Sequence, residues 1–222
     1  MSNSLPKMKK RCFDKKVDAP PVLPQLSELY IMALCLLLPL LPSIGGYQNI
    51  GERAYLFFYV LSICYLAACA VVCLELVLVG KCSIRQLLSP LLMWTPAKLF
   101  LSLFLIWSLL STLHSPFGAG WVNLGKQEGM LAILLYGLLF FVISAYGRWR
   151  PCYLYLLGLV TVLNALLGLL QYIGFNPLYL YPAGTNFHDA FIRYNGAFLG
   201  TLGNVDLLGA FLCLVVPLFY ST

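Results

Sequence analysis

Long apolar runs, each ended by a short polar interval, follow one another through most of the chain. A helix needs roughly 20 predominantly apolar residues, with a tolerated range of about 17–25, to cross a bilayer. Runs of that kind predict spans at Leu29–Tyr47, Ala54–Val79, Pro96–Leu113, Met130–Tyr146 and Cys152–Ile173, with another from Gly203 to the chain end. No alternating pattern supports strands, and only helices or closed barrels satisfy the backbone in lipid. The predicted fold class is all-α, a polytopic transmembrane helix bundle of about six spans. Residues 1–25 read as a basic tail and 26–222 as the transmembrane helical domain.

Polar residues inside the spans refine this picture. Pro39 and Pro42 predict that the first span kinks or ends early. Glu75, in the second, falls at the interface near Lys81 if the span is counted from Ala54, and reads as a solvated acid. Leu87–Trp94 is apolar but bracketed by Pro90 and Pro96, as a segment lying along the interface would be. Trp94, Trp107, Trp121 and Trp149 are expected near span boundaries, in an aromatic belt. In the fifth span Thr161, Asn164, Gly168 and Gln171 recur at 3-4-3 spacing and share one helix face. Small and polar residues in lipid turn towards neighbouring helices. The stripe is therefore expected to point into the bundle, for interhelical hydrogen bonding in preference to substrate contact.

Charge gives an orientation. The chain is 61% hydrophobic and 10% charged, against about 25% charged in an ordinary soluble domain. Of its 14 Lys and Arg, eleven fall on one side: Lys7, Lys9, Lys10, Arg11, Lys15, Lys16, Lys81, Arg85, Lys98, Arg148 and Arg150. Arg53, Lys126 and Arg193 fall on the other. The positive-inside rule places the larger set, and both chain ends, in the cytoplasm of a cell-membrane protein. The tail is too polar and lacks the small-residue cleavage site of a signal peptide. It reads as an anchor attracting anionic lipid, in preference to a nucleic-acid-binding arm. The eight cysteines lie in spans or on the cytoplasmic side, with no C-x-x-C pair. Neither an external disulfide nor a metal site is expected, and no cofactor.

The candidate chemistry lies in the external loops. The first is short and holds Glu52 and Arg53; the second runs from His114 to Glu128; the third, from about Gly174 to Leu202, is long and rich in aromatics. Aromatics there suit a sugar or lipid headgroup, and equally a loop resting in the interface. His114 and His188 have no neighbouring ligand or nucleophile, so no catalytic residue is assigned. Lys126 stands just before the fourth span and Arg193 before the sixth. Either can be solvated, or paired with Glu128 or Asp189; as functional groups they would clamp an anion, for which the planar fork of Arg is suited. Downstream of Arg193, Asn204 is placed to cap the last span, with Asp206 in its first turn. The glycines before it allow a tight turn and close approach to a ligand.

Three segments carry a resemblance. GAFLGTLGNVDLLGAFLCLVVPLF resembles the G-T-x-G-N-P-N, apolar run and P-L pattern of the O-antigen ligase and O-antigen polymerase family. LGKQEGMLAILLYGLLFF resembles its R-x-E-G segment and following span, and LLGLLQYIGFNPL the span entering its aromatic loop. The three stand in the family's order between Leu124 and Phe219. The resemblance implies a glycosyltransferase of cell-surface polysaccharide biosynthesis. Such an enzyme passes a polyprenyl-diphosphate-linked glycan to a lipid or glycan acceptor, without an essential metal. It implies diphosphate contacts from Arg193 and Lys126, and a His base in a later external loop. Lys126 departs from the family's Arg, and Val205-Asp206 from its Pro-Asn.

The same resemblance leads to the expectation that the chain is an N-terminal half. Alone it would insert into a membrane without transferring glycan, and a downstream C-terminal half would be a partner. A transporter or flippase fragment and a non-catalytic membrane assembly partner are the alternatives.

Overall fold

The computed structural model describes residues 21–47, 49–115, 129–181, 199–203 and 205–220. These form an all-α membrane bundle with no strand among them. Its helices are α1 (Val22–Leu37), α2 (Ile50–Leu78), α3 (Ile84–Leu92), α4 (Pro96–Leu113), α5 (Met130–Tyr146), α6 (Cys152–Tyr172) and α7 (Val205–Tyr220). Short 3-10 turns occupy Leu41–Ser43 and Pro177–Tyr179. Three helices are long and apolar enough to cross a membrane unaided: α2 with 29 residues, α4 with 18 and α6 with 21. The other three predicted spans are helices of 16 or 17 residues. At 1.5 Å per residue these rise only about 24–26 Å, short of a hydrocarbon core of about 30 Å.

Two helices differ in their bounds from the sequence expectation. The first helix starts at Val22 and stops at Leu37, so it lies earlier than Leu29–Tyr47. Its N-terminal turns hold Leu23 and Ser27 fully buried, and Glu28 accepts a 3.0 Å bond from Arg150 Nε at the start of α6. The partner's charge lets the acid sit in the helix. The same hydrogen bond raises the Arg150 guanidinium above its ordinary value. The early stop is the expected effect of Pro39 and Pro42. The second helix starts at Ile50, which puts Glu52 and Arg53 in its first turn instead of a loop. Trp107 also departs from expectation. It lies well inside α4 and is 74% exposed.

The centre of the bundle is α1, which packs on α2, α6 and α5. Between α1 and α2 the contact is a reciprocal pair of Ser-x-x-Tyr units on antiparallel helices. Ser27 Oγ lies 2.7 Å from Tyr65 Oη, and Tyr30 Oη lies 2.8 Å from Ser62 Oγ. The two phenol rings stack with centroids 4.3 Å apart. Each hydroxyl thereby finds a partner away from water, which apolar surroundings demand. Leu23, Tyr65, Cys69, Leu87, Leu139, Val142 and Tyr146 complete this core. Elsewhere small residues let helices close in. A Cβ on Gly137 of α5 would meet Leu105 of α4 at 2.6 Å, and one on Gly158 of α6 would meet Phe219 of α7 at 3.1 Å.

The segment expected along the interface, Leu87–Trp94, falls largely in the short helix α3, begun by Ser83. Ser83 Oγ accepts from Gln86 N–H, and Gln86 Oε1 accepts from Ser83 N–H at 2.8 Å. This reciprocal cap satisfies two orphan donors at once. Glu75 is exposed in the last turns of α2, near this end of the bundle.

Candidate functional site: the polar turn at the far end of the bundle

The end opposite Glu28, Arg148 and Arg150 is built from loops. It begins where α1 stops. Past Leu37 the chain tightens into the 3-10 turn, in which Ser43 Oγ donates to Leu40 O at 2.7 Å. The Pro39 carbonyl is left over, because the residue three ahead is Pro42, which has no N–H to give. Pro39, Pro42 and Ser43 are all buried, so that oxygen needs a partner from elsewhere.

Thr201 supplies it. Its hydroxyl lies 2.6 Å from Pro39 O and 2.8 Å from Asn164 Oδ1, and its one proton serves both acceptors. Thr201 N–H donates to the same Asn164 oxygen at 3.0 Å. That backbone donor fixes which way the amide faces, and Asn164 Nδ2 donates to Val160 O at 3.1 Å. One residue earlier, Gly200 N–H donates to Gln171 Oε1 at 3.0 Å. The turn is closed on itself by Leu199 N–H donating to Gly203 O at 3.1 Å. Thr201, Asn164 and Gln171 are 3%, 2% and 1% exposed. These are hydrogen bonds made away from water, where leaving a group unpaired is costly.

Glycine is required at this seat. Gly200 has φ of +60°, and a Cβ there would lie 2.7 Å from Asn164 Oδ1. The close approach expected of these glycines is therefore, at Gly200, an approach to the Asn164 side chain.

The stripe on α6 divides. Asn164 and Gln171 point into the bundle as predicted, but they bind the turn before α7 instead of a neighbouring helix. Thr161 bonds back to Leu157 O within α6 at 2.8 Å. A Cβ on Gly168 would meet nothing within 4 Å, so that position is not part of a tight contact.

Two further loops complete this end. After α6, Asn176 clasps the chain: its Oδ1 accepts from Tyr181 N–H at 2.9 Å and its Nδ2 donates to Tyr181 O at 3.2 Å. Inside the clasp Leu178 and Tyr179 both have positive φ, 61° and 54°, which side-chain-bearing residues rarely adopt. Tyr47 N–H donates to Tyr179 O at 3.1 Å and ties this loop to the one after α1. Leu180 and Tyr181 are buried beneath it, and burial raises the Tyr181 phenol above its ordinary value. Tyr179 is 82% exposed. Arg53 reaches back from α2 to the Ile44 and Gly46 carbonyls. That side chain organises the loop between α1 and α2, a role not evident from its place in the sequence.

Arg193 and Lys126, the two candidates for diphosphate contact, lie outside the described residues, as do His188 and Asn204. Asp206 is in the first turn of α7 and exposed. His114 ends α4, with Nδ1 2.8 Å from Leu110 O. Among the described residues no group of three or more His, Cys, Asp or Glu is placed to hold a metal ion. What the arrangement provides is a hydrogen-bonded turn just before α7, at an end bearing exposed aromatics. No protein-family model matches the chain, and no curated protein or solved structure is detectably similar to it.

Proposed function

We propose that this is an O-antigen ligase or polymerase-like protein of the cell membrane. In this reading it handles a polyprenyl-diphosphate-linked glycan at the outer surface, with the far end of the bundle facing out and both chain ends in the cytoplasm. One observation carries the reading. The G-T-L-G turn, the segment most like the family's pattern, is not a slack linker but is bonded through Gly200 and Thr201 to α6. Arg193 precedes Gly200 by seven residues, so the anchored turn restricts its reach to about 25 Å. A cation tethered on that scale to a fixed point at the membrane surface suits a diphosphate held by a lipid tail. Lys126 would add a point charge from the loop before α5. The transporter alternative loses its best feature, because Asn164 and Gln171 are engaged in holding the turn.

The test is donor binding, which does not depend on a catalytic base. Protein in lipid nanodiscs is titrated with a polyprenyl-diphosphate-linked glycan, with Arg193→Ala, Arg193→Lys and Lys126→Ala alongside. A charge-assisted hydrogen bond is worth about 1.5–3 kcal/mol. Arg193→Ala should therefore weaken binding about ten- to a hundredfold, and Arg193→Lys should restore only part of it. Equal affinity for parent and Arg193→Ala, at equal folded protein, would remove Arg193 from the site. No binding beyond that of a plain phospholipid would remove the whole reading.

A further inference from the structure

A second site stands at the basic end, where α2 stops and α4 begins. Helix α3 is fastened there at three points. Leu87 is buried, and Tyr146 Oη donates to its carbonyl at 2.5 Å. Lys98 Nζ donates to Pro90 O at 3.0 Å and to Leu91 O at 3.2 Å. These contacts fix the rotation of α3 and leave the rest of its apolar surface outward. Ile84, Leu88 and Leu92 recur at helical spacing and are 60%, 45% and 66% exposed; Met93 and Trp94 follow at 68% and 67%. A groove of about 590 Å³ runs along this surface, lined by Ile84, Arg85, Leu88, Ser89, Leu92 and Met93.

Charge decides what the groove fits. Arg85 lines it, and Lys81 stands one turn before α3; both are exposed. Among the described residues neither side chain has an ion-pair or hydrogen-bond partner. Helix α3 joins the last turn of α2 to the first turn of α4, and the ends of spanning helices lie at headgroup level. We propose that it binds an anionic phospholipid. The phosphodiester sits against Arg85, whose fork grips two oxygens, with Lys81 adding charge. An acyl chain lies along Leu88, Leu92 and Met93. A zwitterionic lipid fits less well, because its ammonium meets the same two cations. This site is separate from the far-end turn and does not depend on the function proposed for that turn.

The experiment uses the full chain in detergent, with the six tail cations Lys7, Lys9, Lys10, Arg11, Lys15 and Lys16 changed to Gln in every sample. Retained lipid is counted by native mass spectrometry with phosphatidylglycerol and phosphatidylcholine in competition. The parent should prefer phosphatidylglycerol. Arg85→Gln and Lys81→Gln should each cut that preference about fivefold, and Arg85→Lys should keep most of it. Leu92→Gln should weaken both lipids together. The proposal fails if the Arg85→Gln/Lys81→Gln protein keeps the parent's preference, or if the parent retains the two lipids equally. It also fails if inorganic phosphate displaces the lipid, since the site would then read phosphate alone.

Discussion

Thr201 meets a need created far away in the sequence. Its hydroxyl caps the carbonyl that the Pro39/Pro42 pair leaves over, and its N–H occupies Asn164. Thr201→Val keeps the shape and removes the hydroxyl. Pro39 O is then buried without a partner, which costs about 1–3 kcal/mol. Thermal unfolding in a fixed detergent should show the loss, and Thr201→Ser should recover most of it. Gly200→Ala tests the neighbouring constraint. A left-handed backbone costs a side-chain-bearing residue roughly 1–2 kcal/mol, and the contact with Asn164 Oδ1 adds to that. The expected result is a less stable protein in which the turn exchanges its amide hydrogens faster. Stability equal to the parent's would mean that the turn can leave its seat without loss.

At the scale of elements, the polar contacts that matter connect pieces the apolar pattern keeps apart. Lys98 opens α4, yet its ammonium closes the C-terminus of α3 and lies 5.8 Å from the centre of the Phe141 ring on α5. It is 3% exposed, so the two carbonyls replace its water. Lys98→Met keeps the stem and removes both bonds. The prediction is faster amide exchange across residues 84–92 with little change in α6, measured by hydrogen–deuterium exchange. Unchanged exchange in α3 would show that Leu87 and Tyr146 hold it unaided. The period of the α6 stripe was readable from spacing alone, because 3-4-3 is the helix repeat. Its partner was not, since nothing local says that Asn164 meets a residue 37 positions on. The start of α1 was missed for a related reason. Glu28 looks like the end of a polar tail until Arg150, 122 residues later, is placed beside it.

For the molecule as a whole, the split of cations makes a topology that can be measured. In a background lacking the eight native cysteines, single cysteines at Ser83, Trp149 and Thr185 are treated with a membrane-impermeant thiol reagent in intact cells. Only Thr185→Cys should label from outside. Labelling at Ser83→Cys or Trp149→Cys, with Thr185→Cys protected, would invert the protein. The sequence by itself determined the all-α membrane class and most helix boundaries. Long apolar runs have no stable alternative in lipid; Pro96 and Pro151 mark where α4 and α6 begin, and Gly80, Gly147 and Gly174 follow the ends of α2, α5 and α6. It determined which face of α6 is polar, because that depends only on the helix repeat. Tertiary structure alone decided what the polar groups do. Thr201, Asn164 and Pro39, the Ser-Tyr pairs of α1 and α2, and Lys98 on α3 each satisfy a buried group with a partner from another element. Such pairing is set by which helix ends come to lie together, a property of the packed bundle that no local stretch of chain encodes.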